Sequence, residues 1–147
     1  MKFNLSILLF VLFNLSVLAQ PVLDFKTKNE RNVNERTQML DLLRNEVRKE
    51  YGQEVVFVVN HFKVCGNYAY LESVAQRKDG KNLVISSPAA DCCNAGALFV
   101  KNYGKWQIAE QGIFRTDMWN WCIAHNYPKA DRGIFSEMAL SMSSQCD

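Results

Sequence analysis

Residues 114–127 (FRTDMWNWCIAHNY) concentrate the side chains best suited to recognition. Tryptophan, tyrosine and arginine dominate the energetics of protein–protein interfaces. We therefore predict a binding patch in this stretch, formed by Arg115, Asp117, Trp119, Trp121 and His125. Core packing is the alternative, because positions 119 and 121 of a helix point about 200° apart, which buries at least one of the two tryptophans.

A second, weaker patch is predicted on one face of the strand at residues 68–76. Alternation along a strand puts Tyr68, Tyr70 and Glu72 on that face. Two acids in one cleft, here Glu72 with Glu110, could catalyse hydrolysis. A solvated sheet face is the alternative interpretation of the same residues.

The chain has only two histidines, His61 and His125, and no sequence motif completes a site around either. Alternation puts His61 on the face of Phe57 and Val59, which either meets solvent or lines a cavity. In a cavity His61 would bind a ligand or act as a base, whereas on a surface it would be structural. A nucleophilic pair of Cys93 with His125 is also formally allowed, since such partners meet in the fold rather than in the sequence.

Composition and missing motifs exclude several classes of function. The 147 residues include 17 basic and 15 acidic side chains, so no excess of Lys and Arg is available to neutralise nucleic-acid phosphates. The sequence has no H-E-x-x-H, no G-x-S-x-G, no Gly-rich phosphate loop and no EF-hand pattern. We therefore predict no metal and no cofactor, and we favour a non-enzymatic protein that does not bind nucleic acid.

Residues 1–19 have the layout of a secretory signal peptide. Lys2 precedes an uncharged run rich in Leu, Phe, Val and Ile, and Val17-Leu18-Ala19 forms a cleavage-like site before Gln20. The run is about 16 residues long, shorter than the roughly 20 that span a bilayer, although a retained anchor is the alternative. Cleavage leaves 147 − 19 = 128 residues with a formal charge of 16 − 15 = +1. We predict a single exported domain, periplasmic or secreted, without membrane attachment.

All five cysteines lie after the predicted cleavage site, where an oxidising compartment favours disulfides. We predict a bridge between Cys122 and Cys146, which would fasten the polar C-terminal tail. Cys65 would then pair with Cys93 or Cys92, because a bond between adjacent cysteines closes a strained eight-membered ring. The alternative is a reactive or metal-binding thiol pair at Cys92 and Cys93, although adjacent cysteines lack the spacing of a zinc site.

Periodicity predicts the elements that position these residues. Residues 20–30 form an arm, with Val22, Leu23 and Phe25 packed on the domain. Residues 34–51 form a helix that ends at Gly52. Strands are predicted at 54–64, 68–76, 83–86, 96–101 and 105–114, with a loop at 87–94. A short helix at 117–125 and a turn at 135–142 follow. This order predicts an α+β fold: an N-terminal helix on a curved antiparallel sheet of four or five strands, with short C-terminal helices.

Three segments also carry a family resemblance: V-x-F-V-V-x-x-F-K-V-x-G-x-Y-A-Y-L, G-A-L-x-x-K-x-x-G-K-W-x-I and T-D-x-W, between Val55 and Trp119. In these segments the chain resembles a group of small exported bacterial proteins without established activity. The order of elements is similar to the cystatin-like and nuclear-transport-factor-like α+β rolls. The resemblance implies that architecture and export, but no reaction and no site residue.

Two functions follow as expectations. The first is a non-enzymatic exported binding protein, such as an inhibitor or immunity-type protein, whose partner is another extracytoplasmic protein. The alternative is a small-ligand pocket or a hydrolase on the concave side of the sheet, with His61, Glu72 or a free cysteine inside.

Overall fold

The computed structural model describes residues 20–85 and 90–146, so the predicted signal peptide lies outside the described residues. These described residues form nine elements: strand β1 Leu23–Asp24, helix α1 Val33–Tyr51, strands β2 Val56–Cys65, β3 Tyr68–Gln76, β4 Ala90–Asn102 and β5 Lys105–Arg115, helix α2 Ile123–Asn126, a 3₁₀ turn Arg132–Ile134 and helix α3 Glu137–Ser143. The strands form one antiparallel sheet in the order β1-β2-β3-β4-β5. The predicted α+β class is confirmed.

Helix α1 covers one face of the sheet. Its apolar side chains recur at helical spacing, and Met39, Leu43 and Val47 are fully buried on that stripe. The helix ends where Gly52 adopts a left-handed conformation, φ +64°, and donates its N–H to the Arg48 carbonyl. Burying one such side chain stabilises the fold by about 1.5–3 kcal/mol. The N-terminal arm closes this layer with Phe25, which is buried as predicted. The predicted packing of Val22 and Leu23 was wrong, because both side chains are exposed.

The C-terminal segment covers the opposite face. Tyr70 and Leu98 project from the sheet into a second apolar cluster with Ile123, Ile134 and Phe135. The part of the chain that the structure describes therefore has three layers: α1, the sheet, and a layer of short helices and turns. The Tyr70 hydroxyl on this second sheet face is therefore enclosed by the C-terminal layer.

A β-bulge in β2 overturns one prediction about side-chain direction. The pairing with β3 shifts between Val59 and His61, which inserts Asn60 as an extra residue. Phe57 and Val59 consequently pack on the α1 side together with Phe62, whereas His61 lies on the C-terminal side. The prediction that His61 shares a face with Phe57 and Val59 was wrong, because alternation fails at a bulge.

Other boundaries also differ from the predictions. Instead of a strand at 83–86, a single bridge joins Gln76 to Asn82; residue 86 lies outside the described residues. Strand β4 begins at Ala90, inside the predicted loop at 87–94. The predicted helix at 117–125 is a series of turns followed by α2, which begins after Cys122 at φ +62°. Helix α3 occupies the predicted turn at 135–142, with the Ser136 hydroxyl accepting the Ala139 N–H at its start.

Candidate functional site

A cleft of about 460 Å³ opens on the C-terminal side of the sheet. It lies between the middle of β3 and β4, the segment that follows β5, and the start of α3. We name it the Glu72 cleft. Its lining includes Asn60, Glu72, Asn94, Arg115, Asp117, Met118, Trp119 and Met138. Concave sites of this volume, with apolar walls and a few convergent polar groups, are where proteins bind small molecules.

A cross-strand row of residues forms the base of this region. His61 pairs with Glu72, Glu72 with Gly96, and Gly96 with Gly112. The two glycines leave a flat area of backbone on which the Trp119 indole lies. A Cβ added at Gly96 would come 2.5 Å from Cζ2 of Trp119 and 2.8 Å from the Leu71 carbonyl oxygen. A Cβ at Gly112 would overlap the other end of the same indole. The glycine pair therefore positions Trp119.

The Glu72 carboxylate is held from one side. Its Oε1 accepts hydrogen bonds from the hydroxyls of Tyr70 and Ser136, both at 2.7 Å. The Oε2 atom accepts no hydrogen bond from the described residues, and Glu72 lines the cleft. One oxygen is thus fixed by the protein while the other is available to a ligand.

Tyr70 links Glu72 to the wall of the cleft. Its hydroxyl accepts a hydrogen bond from Nδ2 of Asn120 at 2.9 Å and donates to Glu72. Burial, and next the neighbouring Glu72 carboxylate, raise the pKa of Tyr70 well above its usual value. The hydroxyl therefore remains a donor across the physiological range. The ring also stacks on Trp119, with centroids 6.0 Å apart.

The predicted patch of Tyr68 and Tyr70 is not a surface. Tyr70 is fully buried and Tyr68 packs partly buried against the same apolar cluster. The physical reason is the C-terminal layer, which covers this face of β3. A sequence offers no direct sign that a distant segment will return to cover one particular face.

His61 does not line the cleft, contrary to the pocket prediction. One of its ring nitrogens, Nε2, lies 2.7 Å from the Ile134 carbonyl oxygen, and its ring meets Tyr70 edge-on. The bulge at Asn60 turns His61 towards the 3₁₀ turn and leaves Asn60 itself at the cleft. His61 therefore fastens the C-terminal layer to the sheet.

The predicted patch at residues 114–127 is divided by the structure. Arg115, Asp117 and Trp119 line the Glu72 cleft. Trp121 is 45% exposed and lies outside the lining, and His125 is exposed on α2. The prediction that at least one tryptophan is buried agrees only in part, since Trp119 is half-buried on its glycine pair.

Of the two predicted disulfides, the structure contains one. Cys122 and Cys146 form a disulfide with Cα atoms 5.6 Å apart, the pairing that we predicted. Cys92 is bonded to Cys93, whereas Cys65 is a buried free thiol that donates to the Gln20 carbonyl. The predicted bridge from Cys65 is therefore wrong. Cys65 pairs with Tyr68 at the start of β3, whereas Asn94, next to Cys93, pairs with Val74. These two points are six positions apart along β3, about 20 Å at the rise of a strand, which is too far for a disulfide.

Sequence reasoning missed several residues of the site. Asn60, Asn94 and Met138 reach the cleft through the bulge and the C-terminal layer, and Ser136 reaches Glu72 from α3. Glycine inside a strand is a signal that could have revealed part of the site, because it often marks a close approach of another group. Gly96 and Gly112 are two such residues.

Within residues 20–85 and 90–146, no three side chains among His, Cys, Asp and Glu cluster closely enough to hold a metal ion. None of the helices in the described ranges has the length and apolar character that spanning a bilayer requires.

Comparison of the chain with protein-family models, with curated proteins and with solved structures found no match.

The glycine pair yields a prediction about the position of Trp119. Gly112→Ala is expected to lower the free energy of unfolding by about 1–3 kcal/mol, because the new methyl group overlaps the indole. Urea unfolding measures this loss. The same substitution in a Trp119→Ala background is expected to cost much less, since the clash is gone. An equal cost in both backgrounds would show that Trp119 does not lie on Gly112.

Proposed function

We propose that the protein binds a small molecule in the Glu72 cleft. The observation that carries this proposal is that the Glu72 carboxylate and the Trp119 indole, both held in place by the protein, line the same concave site. Both groups are held before any ligand arrives, Glu72 by two hydroxyl donors and Trp119 by the glycine pair. Preorganised groups lose little entropy on binding, which favours affinity.

Binding, rather than reaction, is favoured by the residues at the cleft. Neither of the two histidines lines it, and Cys93 is bonded to Cys92. His61 already contacts the Ile134 carbonyl. The described lining has carboxylates and amides for recognition, and its Ser73 hydroxyl donates to the Ala95 carbonyl oxygen rather than to a base.

The place of action in our proposal is outside the cytoplasm, after export. The support is the charged start, apolar run and cleavage-like site of residues 1–19, together with the Cys122–Cys146 pair. Disulfides persist in oxidising compartments.

The experiment is a small-molecule screen monitored by NMR on isotope-labelled protein. A binding compound is expected to shift the Trp119 indole N–H signal and the Gly96 amide, and Asn94→Trp should abolish those shifts. Asn94 is exposed at the cleft, so the larger side chain fills the site without disturbing the core. Lys105→Trp, at an exposed position at the far end of the sheet, is the control that should leave binding unchanged. Shifts that persist in Asn94→Trp, or a diverse library without any shift at the cleft, would contradict the proposal.

A protein partner is a second candidate, supported by the apolar side chains exposed on this side. Met118 is 60% exposed, Met138 67% and Trp121 45%. Apolar surface of this kind, rich in Met and Trp, suits a protein interface. Retention of one extracytoplasmic protein, lost in Trp121→Ala while small-molecule binding persists, would support this candidate.

A further inference from the structure

We infer that the ligand of the Glu72 cleft is an organic ammonium ion, an amine or quaternary ammonium group carried on an apolar body. This inference rests on the proposed function, because it assigns the chemistry of the same site. It follows from three properties of the cleft: the charge at its base, the ring beside that charge, and the apolar side chains at its mouth.

The charge at the base is negative. Glu72 is partly buried at the centre of the sheet, and its Oε2 accepts no hydrogen bond from the described residues. No basic side chain among those residues lies within 4.0 Å of this carboxylate. Asp117 adds a second carboxylate to the lining, at an exposed position like that of Arg115. A carboxylate with an open oxygen favours a cationic hydrogen-bond donor over a neutral one.

Among the described residues, Arg115 is the only basic one that lines the cleft, and it does not reverse this preference. It is exposed at the end of β5, whereas Glu72 is partly buried. Charges in contact with water are screened more strongly than buried ones. A ligand that reaches the base of the cleft therefore meets Glu72 as the dominant charge.

The aromatic ring lies next to the carboxylate. Gly96 pairs directly with Glu72 and supports the six-membered ring of Trp119. Neighbouring strands are about 4.8 Å apart, so one ammonium group can contact both the carboxylate and the indole. A cation within about 6 Å of an indole centroid is attracted by its quadrupole, and tryptophan is the strongest of the aromatic residues in this respect. Neither a neutral nor an anionic group would gain from both contacts.

The mouth of the cleft suits an apolar body. Met118 and Met138 both line it, and both side chains are largely exposed. Methionine is unbranched and polarisable, so it adapts to hydrocarbon groups of different shape. The ammonium group would point to Glu72 while the hydrocarbon part packs between these side chains.

The experiment titrates three probes of nearly equal size: benzylamine, benzyl alcohol and benzoate. At neutral pH they are cationic, neutral and anionic. The Trp119 indole N–H signal is followed by NMR, with assignment from a Trp119→Phe variant that distinguishes it from the other two tryptophans. Benzylamine is expected to bind at least about tenfold more tightly than either of the others. Nα-acetyllysine amide carries the same primary ammonium group on a peptide unit. Its affinity relative to that of benzylamine distinguishes a free amine from a lysine side chain as the ligand.

The variant series assigns the preference to Glu72. Glu72→Gln is expected to weaken benzylamine binding about tenfold and to leave benzyl alcohol within about twofold. Glu110→Gln is the matched control, because it removes the same charge from the same sheet face outside the cleft. The comparison of probes uses the unaltered protein, so it remains decisive even if Glu72→Gln disturbs folding.

Two outcomes would overturn the ammonium assignment, and they differ in whether the cleft is still shown to bind a ligand. Binding of benzyl alcohol or benzoate as tightly as benzylamine would remove the ammonium assignment and retain the cleft as a ligand site. Absence of a shift with any of the probes would overturn the assignment, while the wider screen with Asn94→Trp decides independently whether the cleft binds ligands of another class.

Discussion

Replacing Tyr70 by alanine is expected to lower the free energy of unfolding by about 3–5 kcal/mol. Tyr70 is fully buried and is the point where the sheet meets the C-terminal layer. Its ring contacts Phe135 with centroids 5.2 Å apart, and it stacks on Trp119. Truncation opens a cavity between two layers and removes a hydrogen bond from Glu72. The substitution should therefore destabilise the fold and weaken ligand binding together.

Two further variants separate these effects. Tyr70→Phe keeps the ring and removes only the hydroxyl, which leaves Asn120 without its acceptor, so we expect a loss of about 1–3 kcal/mol. Tyr103→Ala removes a ring that is fully exposed, and we expect a change within about 0.5 kcal/mol. Urea unfolding followed by circular dichroism measures all three. A loss below about 1 kcal/mol for Tyr70→Ala would show that the C-terminal layer does not pack on this residue.

Removal of the Cys122–Cys146 disulfide is expected to lower the free energy of unfolding by about 3 kcal/mol. The two cysteines are 24 positions apart, and closing a loop of that length restricts the unfolded chain by about this amount. The loop contains α2, the 3₁₀ turn and α3, together with Ser136, which binds Glu72, and Met138 of the cleft. The bridge therefore stabilises the layer that completes the site.

The double substitution Cys122→Ser with Cys146→Ser tests this expectation by urea unfolding under oxidising conditions. Cys92→Ser with Cys93→Ser is the matched control. Because Cys92 and Cys93 are adjacent, their bond closes a loop with no residues between them and restricts the unfolded chain very little. It should therefore stabilise the fold much less. If the control lost as much stability as the Cys122–Cys146 variant, loop closure would not explain the effect.

The elements with strong local signals were predictable. Helix α1 has an uninterrupted apolar stripe and a glycine at its end, and it spans Val33–Tyr51 against a predicted 34–51. Strand β3 has the predicted bounds, because a turn at Gly66 and another at Gly80 delimit a regular alternation. In each case short-range periodicity and turn chemistry suffice.

The failures have a common physical cause, since each depends on contacts between distant segments. The bulge at Asn60 is set by the pairing of β2 with β3, and one inserted residue exchanges the faces of all that follow. The segment after β5 forms turns rather than a helix, and its Trp119 lies on the backbone of Gly96 and Gly112. Local propensity did not reveal that this tertiary contact competes with helix formation.

The candidate site was predictable in residue type but not in arrangement. Arg115, Asp117 and Trp119 were predicted to bind, and Glu72 was predicted for a pocket, as two separate hypotheses. The structure brings the four together in one cleft. Their meeting depends on the chain returning across the sheet after β5, which no spacing in the sequence specifies.

The most direct test of the Glu72 cleft is a crystallographic screen in which crystals of the protein are soaked with small organic fragments. We expect fragments to bind between Trp119 and Glu72, with the indole still lying on Gly96 and Gly112 and a ligand donor about 3 Å from Oε2 of Glu72. Fragments bound only elsewhere, or an indole displaced from the glycine pair, would contradict the account.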